Sequence, residues 1–422
     1  MQTSCPAVLI SATSSGQGKT LCSAALACAW RNRGLRVQVF KCGPDFLDPM
    51  ILEVASGRAV YNLDLGMCGE QDAERLLYKA AQESDVILLE GVMGLFDGQP
   101  SSADIALRFG IPVALIIDAS AMAQTFGALA AGLLGYNPAI KPAGVIANQI
   151  GSSGHADFLR SSLPANIPWL GALPKDNSYS IPERHLGLHR ASETHDLDAR
   201  IEAAAKMLPA SSTLPLPPTV TFNAPAPRDL PPLLTSKTIA IARDEAFCFI
   251  YPANLDCLRE LGAALTFFSP LQDTILPEAD AYWLPGGYPE LHMQEISANV
   301  AMKQQISQAF AQDKPILAEC GGMMALCESV NGIAGFGLLP GISRVESGLQ
   351  GIGTQHVQFD NGKISAHTFH HGVFETLLQV THTSSAAFGK PEPVYRHGSL
   401  HASFLHFYFP SNPHAAARFF LP

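Results

Sequence analysis

In SATSSGQGKT (residues 11–20), which follows the apolar run AVLI, Gly16 and Gly18 free the backbone to turn its N–H groups toward phosphate oxygens, with Ser15 and Gln17 between and beside them. Lys19 has the reach for β- and γ-phosphates, and Thr20 offers a hydroxyl to Mg²⁺ at the head of a following helix. The first glycine of G-x-x-x-x-G-K-[ST] is replaced by Thr13, so the strand–loop–helix setting carries the assignment. Acidic residues accompany the loop: Asp45 and Asp48 in KCGPDFLDP, Asp64 in NLD, Glu90 at the end of VILLE, and Asp97 in GVMGLFDG. Carboxylates at strand ends suit Mg²⁺, which takes oxygen ligands and keeps several waters. Any one of them alone reads as a cap or a solvated turn residue, and it is their grouping beside the loop that singles them out.

A second constellation lies in the other half. KPILAECGGMMAL (314–326) reads as a strand, a sharp Glu-Cys-Gly-Gly turn and a helix, a turn that pushes Cys320 into the open as a nucleophile. The helix N-terminus is expected to lower the thiol pKa. Cys327, without glycine flanks, reads as a buried structural thiol. A thiolate attacking a carboxamide needs a base, and HGSLHASFLHFYFPSNP (397–413) offers His401 and His406. LPGGYPE (284–290) is a glycine turn able to present an oxyanion-hole N–H from Gly286 or Gly287, with Gly321 as the second donor. His367, His370 and His371 in AHTFHHG have a spacing open to metal ligation, but β-like flanks and the lack of a nearby Cys or carboxylate pattern argue against zinc.

The elements that must position these residues follow from the pattern. AVLISA (7–12), LRVQVFK (35–41), SDVILLE (84–90), PVALIID (112–118) and AGVIANQ (143–149) are short β-rich runs separated by helical stretches such as LCSAALACAW (21–30). That alternation predicts a parallel sheet with helices on both faces and ligands at the carboxyl ends of the strands. Between Met207 and Lys237 the pattern collapses into a stretch with eight prolines, expected to be a linker between residues 1–206 and 238–422. Beyond it TIAIARD, ALTFFSP, DAYWLPGG and KPILAECGG resume the alternation, predicting a second α/β domain. The chain has 422 residues, 47% of them apolar and 15% charged, enough for two full cores. A net charge of −10 argues against a nucleic-acid partner. Nine scattered cysteines without a C-x-x-C pair read as reduced thiols, no signal peptide is evident, and no apolar run reaches membrane-spanning length, so a cytoplasmic protein is expected.

Taken together, SSGQGKT, FKCGPDFLDP, NLD, EGVMGLFDG and IPERHLGL (181–188) resemble the cobyrinate (or hydrogenobyrinate) a,c-diamide synthases. The resemblance spans nearly the whole chain. It implies a dethiobiotin-synthetase-like ATP domain followed by a class I glutamine amidotransferase-like domain. It further implies ATP and Mg²⁺ on residues 15–20, with Thr20, Asp45 and Glu90 at the metal, and Asp48, Asp64 and Asp97 toward the substrate and its activation. From the resemblance Cys320 and His406 are the glutaminase pair and Gly287 and Gly321 the oxyanion donors. The implied partners are glutamine and a cobyrinate-type corrinoid, with a homodimer left open. Two departures stand out. The shifted family glycine G-x5-G-K-T is Ala12 here, and the glutamate usual two residues after the histidine is Tyr408. A regulatory ATPase of the partitioning type is disfavoured because its signature lysine position holds Ser14. A non-catalytic glutamine-sensing module is the remaining alternative for the second half, and hydrogenobyrinate or a nickel tetrapyrrole the alternative substrates.

Overall fold

The computed structural model describes residues 1–181, 183–184, 187–188, 191–209 and 214–422, with the side chains of 183, 184, 187, 188 and 192 left undescribed. It comprises two compact units, Met1–Ala226 and Pro227–Pro422. Among the described residues no helix is long and apolar enough to cross a membrane.

The first unit is built on β1 (Gln2–Ala12), β2 (Val37–Cys42), β3 (Tyr61–Leu63), β4 (Val86–Glu90), β5 (Val113–Asp118), β6 (Pro142–Ile150) and β7 (Trp169–Pro174). They form a parallel sheet in the order β3-β2-β4-β1-β5-β6-β7. Strand alternation explains why both faces carry helices. Ala7 and Leu9 of β1 enter one apolar cluster, while Val8 and Ile10 enter the other. Helix α1 (Lys19–Arg31) is nearly all buried, its alanines allowing close approach to the sheet. Sequence periodicity located five of these strands; the short β3 and the glycine-containing β7 lacked a pattern long enough to mark them.

Part of the stretch expected to be linker is not one. Thr219–Asn223, β8, pairs antiparallel with the first residues of β1 and buries Val220 and Phe222. Its exposed–buried alternation is a strand signal that the surrounding prolines obscure.

The second unit has β9 (Thr238–Ala242), β10 (Ala264–Phe268), β11 (Ala281–Leu284), β12 (Ile316–Glu319), the short helix α2 (Gly321–Leu326), β13 (Gly351–Phe359), β14 (Gly362–His370), β15 (Val380–Thr383), β16 (Pro393–His397), β17 (Leu400–Ser403) and β18 (His406–Tyr408). A seven-stranded sheet runs β10-β9-β11-β12-β17-β16-β15, parallel from β10 to β17. A separate four-stranded antiparallel sheet contains β13, β14 and β18.

Candidate functional site

In the first unit the carboxyl ends of β1, β2 and β4 meet. Register places Glu90 opposite both Ile10 and Lys41. Gly16 (φ 76°) and Gly18 (φ 84°) take the left-handed conformations that let the loop after β1 turn. Neither Ala12 nor Thr13 has a positive φ, so a β-carbon is tolerated where other phosphate loops have glycine. Gly18 caps α1 without a side-chain hydrogen bond, and the first turn of the helix has no acidic residue. Its N–H groups and positive dipole end are therefore free for an anion.

The side chains of this site are held from several elements. Lys19 Nζ donates to the carbonyls of Ser14 (3.0 Å) and Met93 (2.7 Å), spanning the loop. Burial, with Lys41 nearby, pulls its pKa down to about 8. Gln17 accepts from the N–H of Asp118 at 2.9 Å, and Ser15 is exposed beside it. Thr20 Oγ1 donates to Glu90 Oε1 at 3.1 Å.

Sequence reasoning passed over Lys41, which the structure puts at the centre. Its ammonium, 2% exposed, donates to Glu90 Oε1 at 2.8 Å and to Asp48. Burial alone would lower its pKa, but Asp48 and Glu90 outweigh it and hold the lysine charged. Asp48 shares a hydrogen bond with Asp45, whose carboxyl is pushed up to about 7 by burial and by the charge of Asp48. Asp45, Asp48, Lys41, Glu90 and Thr20 thus form one chain of contacts. A lysine ending the apolar strand VQVFKC was the available signal. Asn148, 2% exposed at the end of β6, was also missed; its amide donates to Gln17 O at 3.0 Å.

Two acids have local duties. Asp64 Oδ1 accepts from the N–H groups of Gly66 and Met67, which engages that oxygen in the turn after β3. Asp97, exposed, accepts from Gly94 N–H and lies within electrostatic reach of Lys19. Of the IPERHLGL stretch, residues 182, 185 and 186 and the side chains between them lie outside the described residues.

For a metal ion, Glu90 Oε2 is buried and makes no hydrogen bond of ordinary geometry among the described residues. It and the Thr20 hydroxyl fit Mg²⁺, which takes few protein oxygens. Asp45, expected as a third ligand, reaches Glu90 through Asp48 and Lys41 and is bonded to Leu47 N–H instead. Among the described residues no group of three His, Cys, Asp or Glu side chains forms a metal cage, AHTFHHG included.

In the second unit, Cys320 directly follows β12 with φ 46° and ψ −111°, a strained turn forced between strand and helix. Its N–H donates to Ser403 O at 2.7 Å. Four glycines leave room around it. A β-carbon on Gly286 would stand 2.2 Å from His406 Cε1 and 3.3 Å from Cys320 Cβ. On Gly321 it would meet Pro289 and, at 3.0 Å, Gly287 N; on Gly287, Ala246 O; on Gly322, Leu284 O. The Gly287 and Gly321 backbones therefore converge beside the thiol.

The expected lowering of the thiol pKa does not hold. Burial pushes Cys320 well above its ordinary value, Glu290 adds to this, and the Gly321 N–H opposes it only in part. His406, 3% exposed, is depressed to about 3 by burial and then by His367 and His370. At neutral pH both partners rest uncharged. His401 lies elsewhere, on β17 in register with Leu317 and edge-on to Phe419, a half-buried histidine held down to about 4 chiefly by desolvation of its ring.

The three histidines of AHTFHHG lie on and just after β14, not on a helix. His367 is in register with His406, so both point to one face of the sheet. Its Nδ1 has no hydrogen-bond partner among the described residues. His370 pairs with Glu392 at 2.9 Å and stacks on Phe404. Cys327 is fully buried, its thiol donating to Met323 O.

Residues 8–188 match the CobQ/CobB/MinD/ParA nucleotide binding domain, and residues 238–414 match the CobB/CobQ-like glutamine amidotransferase domain. The hydrogenobyrinate a,c-diamide synthase of Stutzerimonas stutzeri is 52% identical over 99% of both chains. That of Pseudomonas aeruginosa is 51% identical over 100% of this chain and 98% of its own. The chain belongs to the cobyrinate/hydrogenobyrinate a,c-diamide synthase family. Another relative, the cobyrinate a,c-diamide synthase of Herminiimonas arsenicoxydans, is 46% identical over 98% of this chain and 96% of its own. As a member of this family the chain is a glutamine-dependent amide ligase, with its nucleotide-binding domain first and its amidotransferase domain second.

Proposed function

We propose that this chain converts the a and c acetates of hydrogenobyrinate to amides, using ATP and glutamine. One observation carries the reading: a single chain holds both a Cys320–His406 pair set about Gly286 and a phosphate loop whose Thr20 contacts Glu90. The cobalt-free substrate is favoured because the two relatives above 50% identity carry that name. Cobyrinate is the second reading, favoured by the name of the relative at 46%.

In the amidotransferase unit, the Cys320 thiol gives its proton to His406 as sulfur attacks the glutamine side-chain amide. Gly287 and Gly321 N–H groups receive the developing oxyanion. His406 returns the proton to the leaving ammonia, and water then releases glutamate from the thioester. A neutral resting pair suits this order, since the proton moves only once an electrophile is in place.

In the nucleotide unit, the open first turn of α1 and Lys19 hold the ATP phosphates. The Thr20 hydroxyl and Glu90 would hold Mg²⁺, which when bound neutralises charge on those phosphates. A substrate carboxylate takes the γ-phosphoryl group, because free carboxylate is a poor electrophile and the acyl phosphate carries a leaving group. Ammonia then displaces phosphate. Lys41 keeps Asp48 and Glu90 from repelling each other and the incoming anions. To Asp97 and Asp48 we assign the acceptor side of the reaction, and to Asp64 a role through its turn.

The test offers purified protein hydrogenobyrinate or cobyrinate with MgATP and glutamine, and weighs the products. Two amide replacements on hydrogenobyrinate, with ADP formed in step, are expected. Replacement on cobyrinate alone would favour the second reading, and no amidation of either acid would overturn both.

A further inference from the structure

We propose that Glu319 is the positioning residue of the glutaminase pair, fixing His406 against Cys320 by tying together the strands that carry them. This rests on the reading of Cys320 and His406 as that pair. Cys320 follows β12 of the seven-stranded sheet, whereas His406 begins β18 of the four-stranded sheet. No ladder of backbone hydrogen bonds joins β12 to β18 among the described residues. Backbone pairing ties Glu319 and Cys320 only to Ser403, three residues before His406, and beyond it side chains hold β18 to β12.

Glu319 supplies that link. It immediately precedes Cys320, is 1% exposed, and its Oε1 accepts from the N–H of Phe407, the residue after His406, at 2.8 Å. Its Oε2 accepts from Trp283 Nε1 at 2.9 Å, on the side away from Phe407 N–H. The carbonyl of the same Phe407 accepts from Asn254 Nδ2 at 2.8 Å, and Asn254 Oδ1 accepts from Phe409 N–H at 2.8 Å. The residue next to the base is thus gripped at both its N–H and its carbonyl.

The clamp costs stability. Burial pushes the Glu319 carboxyl up, while the Phe407 and Trp283 N–H groups, one on each oxygen, oppose this by favouring the ionised form that accepts both. An acid kept in so unfavourable a place without a cation suits a geometric duty better than a packing one. It also answers the departure at Tyr408, a fully buried ring edge-on to Tyr251 where a third acid would stand. The imidazole is placed through the backbone of its own strand.

The experiment uses the full chain. Glu319→Gln keeps the shape but turns an N–H toward one of two N–H donors. Expected is a loss of glutamine-driven kcat of about 10- to 100-fold, the scale of an ångström-sized misplacement. KM for glutamine should stay within about threefold and ammonia-driven amidation at the wild-type rate. Trp283→Phe, which leaves the Phe407 bond intact, should retain kcat within about threefold. Unchanged kcat in Glu319→Gln, or an equal loss in Trp283→Phe, overturns the proposal in favour of plain core packing. Should Glu319→Gln not fold, Asn254→Ala decides: the same kcat-specific loss supports the clamp and an unchanged kcat overturns it. Cys320→Ala run in parallel isolates the underlying reading, since glutamine-driven activity surviving there would refute the pair itself.

Discussion

His406 Cε1 lies 2.2 Å from the point where a β-carbon on Gly286 would stand, and Cys320 Cβ lies 3.3 Å from the same point. The glycine is thus the gap across which nucleophile and base face each other. Its φ is not positive, so the constraint is space and not backbone strain. Gly286→Ala should displace the imidazole and lower glutamine-driven kcat by about 100-fold, with ammonia-driven amidation preserved. Steady-state assays with each nitrogen donor check this.

Cys320→Ala should abolish glutamine-driven amidation and leave activity with free ammonia; loss of both would break the two-site scheme. Because burial holds the Cys320 thiol above its ordinary range, alkylation of the wild-type enzyme by iodoacetamide should be slow at pH 7 and still rising at pH 9. A rate that levels off near pH 7 would mean a thiolate at rest.

Replacing Lys41 with Met removes the cation shared by Glu90 and Asp48. Buried Glu90 and half-buried Asp48 would then face each other uncompensated, a loss of up to about 3–5 kcal/mol for breaking such a contact. The expected result is a lowered urea midpoint and loss of ATP-dependent amidation, while glutaminase activity survives below that midpoint. Wild-type ATP turnover in the variant would remove Lys41 from the site.

Acid stability gives a fourth check. His401 is half-buried and desolvation of its ring holds its pKa down to about 4, so the folded form stays neutral while an unfolded histidine, titrating near 6.5, takes a proton. The unfolded state then binds more protons, and stability is lost as pH falls from about 6.5 toward 4, at about 1.4 kcal/mol per pH unit for this group. His401→Phe should flatten the fall of the unfolding midpoint across that window. An unchanged slope would mean that His401 is protonated in the fold.

The amino-acid order by itself determined whatever depends on a residue and its chain neighbours. Gly16 and Gly18 could be recognised as turn glycines because only they escape the steric cost of positive φ there, and Cys320 because small residues must follow a turn that sharp. Apolar alternation located most strands for the same local reason, and failed on Thr219–Asn223, where prolines masked it. Tertiary structure alone decided which polar groups meet. Lys41 joins Glu90 and Asp48 because β2 and β4 are neighbours, while Asp64, equally acidic, is taken up by its own turn. Register put His367, and not His370, opposite His406. Packing brought Glu319 to the N–H of a residue 88 positions away. Burial also reversed the expected lowering of the Cys320 thiol pKa, because desolvation depends on everything packed around a group and a six-residue helix offers little against it.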